Sequence, residues 1–222
     1  MESRNAVLAD APSVNRSPAG GEPAGHSPDG TPLSVASRLS RLRRVAIEEV
    51  ENLQFRLLLA HLLVTCLPPV TFSRLRTAIY RLAGIQIGPH SIIFGRISFT
   101  GLGPIVRRLR IGSNSIVNVE CFMDLNADIS IGNWVSIGHH VTFITAEHLI
   151  GPAKCRAGKM RPKSITVEDG SWIGARSTIL PGVTVGRSCI VAAGAVVSGN
   201  VPANRMVGGN PARPLKTLPE EP

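Results

Sequence analysis

A large apolar residue recurs at every sixth position through much of the chain. The first series runs through Ile87, Ile93, Phe99, Ile105, Ile111, Val117, Met123 and Ile129. A slip of two residues resets the phase to Ile131, Ile137 and Phe143, and the pattern returns as Val167, Ile173, Ile179, Val185, Val191 and Val197. A period of six excludes a simple helix, whose period is about 3.6, and is too sustained for ordinary strand alternation.

The fourth residue after each of these apolar positions is usually small or β-branched, as at Ser115, Cys121 and Val141. The pattern predicts a short-period β-solenoid, in which each hexad forms one strand and one turn and three hexads close a triangular coil. The apolar residue fills the axis of the prism, and the small residue fits near a corner. Aromatic residues make up only 4% of the chain, so small aliphatic units must build this core.

The hexad phase breaks between Phe143 and Val167. Extending the hexads through this stretch would place Arg161 on the axis, so we predict an excursion loop at about residues 147–164. His148 stands at the base of that loop. Loops that leave a solenoid are common sites of function.

The chain from about Ile111 to Lys216 resembles the hexapeptide-repeat acyltransferases, especially the maltose, galactoside and nodulation O-acetyltransferase group. The resemblance rests on NVECFMDLNADISIGNWVSIGHHVTFITAEH, on ITVEDGSWIGARSTILPGVTVG and on IVAAGAVVSGNVPANRMVGGNPARPLK. It implies a left-handed parallel β-helix over residues 84–204 that transfers an acetyl group from acetyl-CoA to a hydroxyl of a sugar, polysaccharide or glycolipid precursor. The helical segment usual at the N-terminus of this family is not recognisable, which leaves the acceptor open.

The resemblance also implies roles for residues on the acceptor side. His148 matches the general base, and an imidazole can take a proton from a hydroxyl that attacks a thioester. Asn118 matches an acceptor-side asparagine, and Asn126 stands where the family has an acceptor-binding aspartate. Asp124, two residues earlier, could replace that charge. Glu147 is the natural candidate to orient His148.

On the donor side, the resemblance places acetyl-CoA in a groove between subunits. The residues that would contact it are Trp172, Ala175, Ala193, Ser198, Arg213 and Lys216. Charge supports the phosphate contacts independently, because Arg205, Arg213 and Lys216 cluster near the end of the coil and cations bind phosphate. The alternatives are an ordinary solvated basic tail over residues 205–222, and interface packing for Trp172.

The hexad count predicts a homotrimer. Asn118 directly follows an axis residue and His148 directly precedes an expected one, so both side chains should point outward. They lie four to five hexads apart, which is not a multiple of three, and therefore fall on different faces of the prism. Three-fold packing would bring His148 of one chain towards Asn118 of the next, with active sites at the interfaces.

The N-terminal part divides into two segments. Residues 1–36 are rich in Pro, Gly, Ser and Ala and lack apolar runs, which predicts disorder. Residues 37–83 form an Arg-rich amphipathic helical region, with one helix ending at Pro68-Pro69 and a second from about Phe72 to Leu82. This region has two interpretations: a cap that packs on the β-domain or a neighbouring subunit, or an anchor in the membrane interface.

The net charge of +9 is concentrated, since residues 38–110 hold twelve arginines, no lysine and three glutamates. Such a block favours an anionic partner. Nucleic acid is disfavoured because the block lacks interleaved aromatic residues.

Without a signal peptide or paired cysteines, we expect a cytoplasmic protein, with membrane contact at the inner face under the anchor interpretation.

Three alternatives to sugar acetylation stay open. One is an acyltransferase whose acceptor is serine, an antibiotic hydroxyl or an amino sugar. Another is a non-catalytic, membrane-associated β-helix scaffold. The last is a zinc carbonic anhydrase, which builds a three-histidine site on the same fold. His140 and His148 are eight residues apart without a supporting motif, so we predict no metal.

Overall fold

The computed structural model describes residues 54–220, together with Ser40 and Arg43. The predicted disordered tail, residues 1–36, lies outside the described residues, as does most of the helical region before residue 54. Ser40 and Arg43 are helical and belong to a separate unit, residues 1–44. The fold below is that of the second unit.

Two helices precede a series of short strands. The helices are α1 (Phe55–Thr65) and α2 (Ser73–Leu82). The strands are β1 (Gln86–Ile87), β2 (Ile92–Ile93), β3 (Ile97–Thr100), β4 (Leu109–Ile111), β5 (Ile116–Val117), β6 (Cys121–Asp124), β7 (Ile129–Ile131), β8 (Ser136–Ile137), β9 (Thr142–Phe143), β10 (Ala146–Ile150), β11 (Ala157–Pro162), β12 (Ile165–Val167), β13 (Trp172–Ile173), β14 (Thr178–Ile179), β15 (Thr184–Val185), β16 (Ile190–Val191), β17 (Val196–Val197), β18 (Arg205–Gly208) and β19 (Arg213–Thr217).

Three stacks of strands form the faces of a triangular prism. The first face is β1-β4-β7-β12-β15, the second is β2-β5-β8-β13-β16-β18-β19, and the third is β3-β6-β9-β14-β17. Axis residues stack in register along each face, as in the parallel pairing of Val117 with Ile137 and of Ile137 with Ile173. The predicted left-handed parallel β-helix is confirmed, with about five turns.

The interior contains the two residue types that the hexad pattern predicts. Axis residues such as Val117, Ile173 and Val191 are fully buried. Corner residues join consecutive coils: the Ser115 hydroxyl donates to the Gly132 carbonyl at 2.8 Å and accepts from the Val135 amide at 3.0 Å. A small polar residue therefore satisfies the backbone where strands end.

Cys121 and Cys189 occupy equivalent buried corners, whereas Cys66 and Cys155 are exposed, and all four are free thiols.

Glycine follows many axis residues because adjacent coils approach closely there. A Cβ on Gly174 would lie 2.5 Å from the backbone nitrogen of Ala193 in the next coil. A Cβ on Gly112 would lie 2.6 Å from the backbone of Gly132. Any side chain at these positions would push the coils apart, so glycine is required by contact rather than by an unusual φ angle.

The coil departs from the strict period at one corner, between the third and first faces. Residues 101–108 after β3 and residues 144–164 after β9 are longer than a normal turn, and the axis residues Met123 and Ile131 on either side of the turn after β6 are eight positions apart instead of six. Ile105, predicted to lie on the axis in a strand, instead begins a 3-10 turn (Ile105–Arg108) within the first of these insertions. It remains buried, which explains why the periodicity continued through it.

Helix α2 covers the open edge of the first coil. The first coil has no preceding coil, so the amides of β2 and β3 that point away from the second coil lack strand partners. The Thr77 hydroxyl accepts from the Ile93 amide at 3.0 Å, and the Tyr80 hydroxyl accepts from the Ile97 amide at 3.1 Å. These side chains replace the missing strand, so the helices act as a cap on the β-helix.

The turn between the helices is fixed by a buried arginine. The guanidinium of Arg76 donates to the carbonyls of Phe94 at 2.8 Å and Pro68 at 2.7 Å, which ties the turn to the first coil. On α1, Leu57 and Val64 face the core. Among the described residues, no helix combines the length and apolar character needed to cross a membrane.

Residues 205–222, predicted to be a basic tail, include two strands. β18 continues the second face, with Val207 in register with Val191 and likewise buried. β19 turns back and pairs with β18 in the antiparallel sense. The hexad pattern in the sequence ends at Val197, but Val207 supplies a further apolar residue for the axis, which extends the stack.

Candidate active site

The interruption of the coil is a β-hairpin that projects from the corner between the third and first faces. Its strands β10 and β11 pair in the antiparallel sense, with Glu147 opposite Arg161 and His148 opposite Met160. Glu147 accepts hydrogen bonds from Arg161 and from Lys163, the latter at 2.8 Å. These hydrogen bonds lower the pKa of the Glu147 carboxyl, the one from Lys163 contributing most. Opposite charges directly across the strands stabilise this register.

His148 is held on the hairpin by a backbone carbonyl. Its Nδ1 atom lies 2.7 Å from the carbonyl oxygen of Gly158 on the opposite strand. A carbonyl oxygen only accepts, so Nδ1 carries the proton and the neutral ring has its lone pair on Nε2. The side chain is exposed, and Nε2 is therefore available to take a proton from a bound hydroxyl.

The group that orients His148 could not be found from the sequence, because it is a main-chain carbonyl. Glu147, the candidate proposed on sequence grounds, forms its hydrogen bonds with Arg161 and Lys163 instead. Its side chain and that of His148 extend to opposite sides of β10, since neighbouring strand residues alternate. The only sequence signal was the pair of glycines, Gly151 and Gly158, that allows the two strands to approach.

Asp124 fixes the root of the hairpin. Its carboxylate is buried, with 6% of the residue exposed, and accepts from the amides of Thr145 at 3.0 Å and Ala146 at 2.9 Å. The Thr145 hydroxyl in turn donates to the Asp124 carbonyl at 2.6 Å. The predicted acceptor-binding carboxylate thus forms hydrogen bonds to the strand that leads to His148.

Asn126 and Asn118 lie on two different corners of the prism. Asn126 is half-buried on the same corner as the hairpin, where its side-chain amide donates to Asp124 at 2.5 Å. Asn118 follows β5 at the corner between the second and third faces, and its side-chain oxygen Oδ1 accepts from the Val119 amide at 2.8 Å. The structure brings Asp124, Asn126 and the hairpin together, but not Asn118.

Two of the predicted donor-binding residues stack on the same corner as Asn118. Ala175 follows β13 and Ala193 follows β16, and the carbonyl of Ala175 accepts from the Gly194 amide at 2.8 Å. Trp172 projects from the second face nearby, with 56% of its surface exposed. This row of residues at the corner between the second and third faces is called the Asn118 edge below.

The remaining donor-side residues lie at the C-terminal end of the prism. Ser198 follows β17 on the same corner as the hairpin, which is called the His148 edge. Ser198, Arg205 and Arg213 line a pocket of about 480 Å³. Lys216 lies on β19 opposite Met206, outside the pocket lining. The predicted donor residues are thus divided between two edges of one chain.

Comparisons with known proteins give the family. A family model described as bacterial transferase hexapeptide (six repeats) matches residues 164–199. Nodulation protein L of Rhizobium leguminosarum bv. viciae is 33% identical over 133 residues, which cover 56% of this chain and 70% of that protein. The chain belongs to the hexapeptide-repeat acyltransferases.

Other hexapeptide-repeat proteins extend the comparison. A solved hexapeptide-repeat acetyltransferase from Vibrio cholerae O1 biovar eltor, complexed with acetyl-CoA, has a TM-score of 0.66 and 31% identity and covers 78% of this chain and 90% of that one. The galactoside O-acetyltransferase of Lactococcus lactis subsp. lactis is 30% identical over 105 residues, 47% of this chain and 51% of that protein. The chain spans about half the length of curated relatives such as this one.

A zinc site on this hexapeptide-repeat fold would need three histidines close together, but the candidate histidines lie on different structural elements. His139 and His140 occupy the exposed turn between β8 and β9, with His140 at a φ of 57°. His148 lies on the hairpin beyond β9. Within residues 54–220, no group of three or more His, Cys, Asp and Glu side chains is arranged to hold a metal ion.

Proposed function

We propose that this chain is an acetyl-CoA-dependent O-acetyltransferase that acts on a hydroxyl of a sugar or glycan precursor. One observation carries the proposal: His148 is an exposed residue that projects from a β-helix of this family, with Nδ1 bound to the Gly158 carbonyl. An oriented imidazole with one lone pair is the arrangement that general-base catalysis requires.

In the proposed reaction, Nε2 of His148 removes the proton from the acceptor hydroxyl. The hydroxyl oxygen forms a bond to the carbonyl carbon of the acetyl thioester, and the carbon–sulfur bond then breaks. The imidazolium returns its proton to the departing thiolate, so the products are the acetyl ester and CoA with a free thiol. Transfer is direct and needs no acyl-enzyme intermediate.

The donor would lie between the two edges. On the Asn118 edge, Ala175 is half-buried and Ala193 is exposed, so a pantetheine arm can lie against them, next to Trp172. At the end of the His148 edge, Arg205 and Arg213 supply two cations in a pocket. Arginine suits phosphate because its guanidinium can donate two parallel hydrogen bonds.

We propose a homotrimer with shared sites, because the acceptor-side residues His148 and Asn118 of one chain lie on different corners, and the donor-side residues are divided between the same two corners. Parallel prisms packed about a three-fold axis would set the His148 edge of one subunit against the Asn118 edge of the next. Mixing chains that carry His148→Ala with chains that carry Asn118→Ala tests this. Random assembly leaves both residues intact in about a quarter of the shared sites, so activity should return on mixing. Sites within single chains predict no recovery.

We propose a sugar acceptor because relatives of this chain include galactoside O-acetyltransferases and because polar residues lie beside the His148 hairpin. Asn126 replaces the charged residue expected there and is half-buried beside the hairpin root. Serine, an antibiotic hydroxyl and an amino sugar remain the alternative acceptors.

For location, we propose the cytoplasm, at the inner face of the membrane.

Acetyl transfer by the wild-type protein tests the proposal. Purified protein is mixed with acetyl-CoA, and free CoA thiol is followed with and without galactosides, maltose, amino sugars and serine. The proposal expects thiol release that depends on a sugar hydroxyl and yields the O-acetyl sugar. Release with serine or an amino sugar alone would reassign the acceptor. Acetyl-CoA that neither binds nor reacts with any acceptor would favour a scaffold.

A further inference from the structure

Helix α1 has two apolar faces, and the β-helix covers only one of them. Leu57, Ala60 and Val64 are buried in the same apolar cluster as Ile93 and Ile97 of the first coil. The opposite side carries a second stripe, whose members are between 48% and 70% exposed: Phe55, Leu58, Leu59, Leu62 and Leu63. Their spacing of three and four residues puts them on one side of the helix. A stripe of five large apolar side chains is more than scattered surface apolar residues would give.

The exposed apolar surface continues into the turn after α1 and onto α2. Val70 is 60% exposed, Phe72 is 59% exposed and Leu75 is 51% exposed. Val70 and Phe72 both have positive φ, at 68° and 56°, a conformation that is uncommon for bulky or β-branched residues. The turn therefore displays two apolar side chains in a strained backbone that Arg76 fixes to the first coil.

The polar residues around this surface are strongly basic. Residues 54–120 contain eight arginines and a single acidic residue, Glu120, which lies 3.9 Å from Arg96. Arg56 and Arg74 are exposed on α1 and α2, next to the apolar stripe. A second copy of this chain would present the same cations, so like-charge repulsion opposes pairing through this face. An anionic surface complements both its charge and its apolar character.

We infer that α1 and the turn after it bind the surface of a bilayer that contains anionic lipids. The outer stripe of α1 would enter the boundary between headgroups and acyl chains, and Arg56 and Arg74 would lie among the lipid phosphates. With 11 residues, α1 is about 16 Å long, half the thickness of the hydrocarbon core, and so would lie along the surface. The inner face keeps its contact with the first coil.

This attachment places the β-helix close to the lipid headgroups. The helices pack on the first coil and the His148 hairpin leaves the third, two strand spacings or about 10 Å along the prism. If the proposed acetyltransferase function holds, the acceptor class narrows to glycans carried on a membrane lipid. The attachment itself stands independently of that function.

Vesicle flotation with the full-length protein tests the inference. Vesicles contain either phosphatidylcholine alone or equal parts of phosphatidylcholine and phosphatidylglycerol. We expect the protein to float only with the anionic vesicles and to dissociate as salt is added. The double variant Leu58→Gln/Leu62→Gln should bind at least tenfold more weakly. Arg56→Gln should weaken binding about fivefold.

The matched control is Trp134→Gln/Leu215→Gln, which removes two exposed apolar side chains from the β-helix. This control should float like the wild type. The Leu58→Gln/Leu62→Gln variant should keep its folded circular dichroism and release CoA normally with a water-soluble sugar, which separates this inference from the proposed function.

Wild-type protein that stays with the soluble fraction would overturn the inference. Flotation that the Leu58 and Leu62 changes leave intact would also overturn it. If the same changes reduce the number of subunits in solution without vesicles, the face joins copies of the chain and the inference is wrong.

Discussion

The Nδ1 atom of His148 and the carbonyl oxygen of Gly158 are 2.7 Å apart across the hairpin. This bond selects the tautomer and the orientation of the imidazole together, and it does so with the backbone. The catalytic competence proposed for His148 therefore depends on how closely β10 and β11 approach.

Gly158→Ala should weaken catalysis without weakening donor binding. A Cβ at residue 158 would lie 2.7 Å from the Leu149 carbonyl oxygen, so the strands must separate and the His148 bond must lengthen. We expect kcat to fall about tenfold, with the KM for acetyl-CoA unchanged. Ala157→Ser, exposed on the same strand, should keep the wild-type kcat. Equal kcat values for Gly158→Ala and Ala157→Ser would show that the Gly158 carbonyl does not orient His148.

Glu147→Gln should change the rate little. Glu147 pairs with Lys163 and Arg161 on the exposed hairpin, and its lowered pKa reflects those hydrogen bonds. Exposed pairs contribute little to stability, so kcat should stay within about threefold of the wild-type value. Initial rates at saturating acetyl-CoA measure this. A loss of two orders of magnitude would mean that Glu147, rather than Gly158, positions His148.

Asp124→Asn should loosen the root of the hairpin. The amides of Thr145 and Ala146 donate to one carboxylate oxygen and Asn126 donates to the other, so the NH2 group of an asparagine would face one of these two sets of donors. We expect the free energy of unfolding to fall by about 1–3 kcal/mol, and kcat to fall with it. Asp128→Asn, an exposed carboxylate nearby, is the control for both measurements. An unaltered kcat in a destabilised Asp124→Asn protein would limit Asp124 to a role in folding.

Stability of the helical cap should fall in acid because of His61. Its ring stacks on Phe99 at 5.4 Å, and burial lowers its pKa, with Arg96 acting in the same direction and a hydrogen bond with the Ile97 backbone opposing it. A lowered pKa means that the unfolded chain binds the proton more tightly than the folded one. Stability is therefore present above the unfolded value, about 6.5, and is lost as pH falls below it.

His61→Phe tests this pH dependence, since phenylalanine can keep the stacking contact without a titrating group. The free energy of unfolding is measured by denaturant titration above and below the pH at which a histidine titrates. We expect the variant to lose less stability in acid than the wild type. Identical pH dependence in the two proteins would show that other groups cause the loss.

The coil was predictable because every hexad repeats one steric requirement. Val117 and Ile173 recur in phase since the axis admits only apolar side chains, and glycines such as Gly174 mark where coils touch. The prediction that Ile105 lies in a strand was wrong because the 3-10 turn buries its side chain as a strand would. Burial alone does not distinguish a turn from a strand.

The sequence predicted the candidate site only where it is formed by side chains and not by backbone groups. The break in the hexads located His148, but a backbone carbonyl such as that of Gly158 leaves no mark in a sequence. The role of Asp124 depends on amides of residues some twenty positions away, brought beside it by the next coil. Likewise, the periodicity of α1 could not show that its two apolar faces have different surroundings.

Replacement of His148 tests the central claim most directly. The second-order rate constant kcat/KM for acetyl transfer to a sugar is measured for the wild type, for His148→Ala and for His140→Ala, whose exposed histidine lies in the turn between β8 and β9. Loss of a general base predicts a decrease of about 10²–10⁴ for His148→Ala, with acetyl-CoA binding retained and His140→Ala unaffected. A His148→Ala protein that keeps the wild-type kcat/KM would contradict the account.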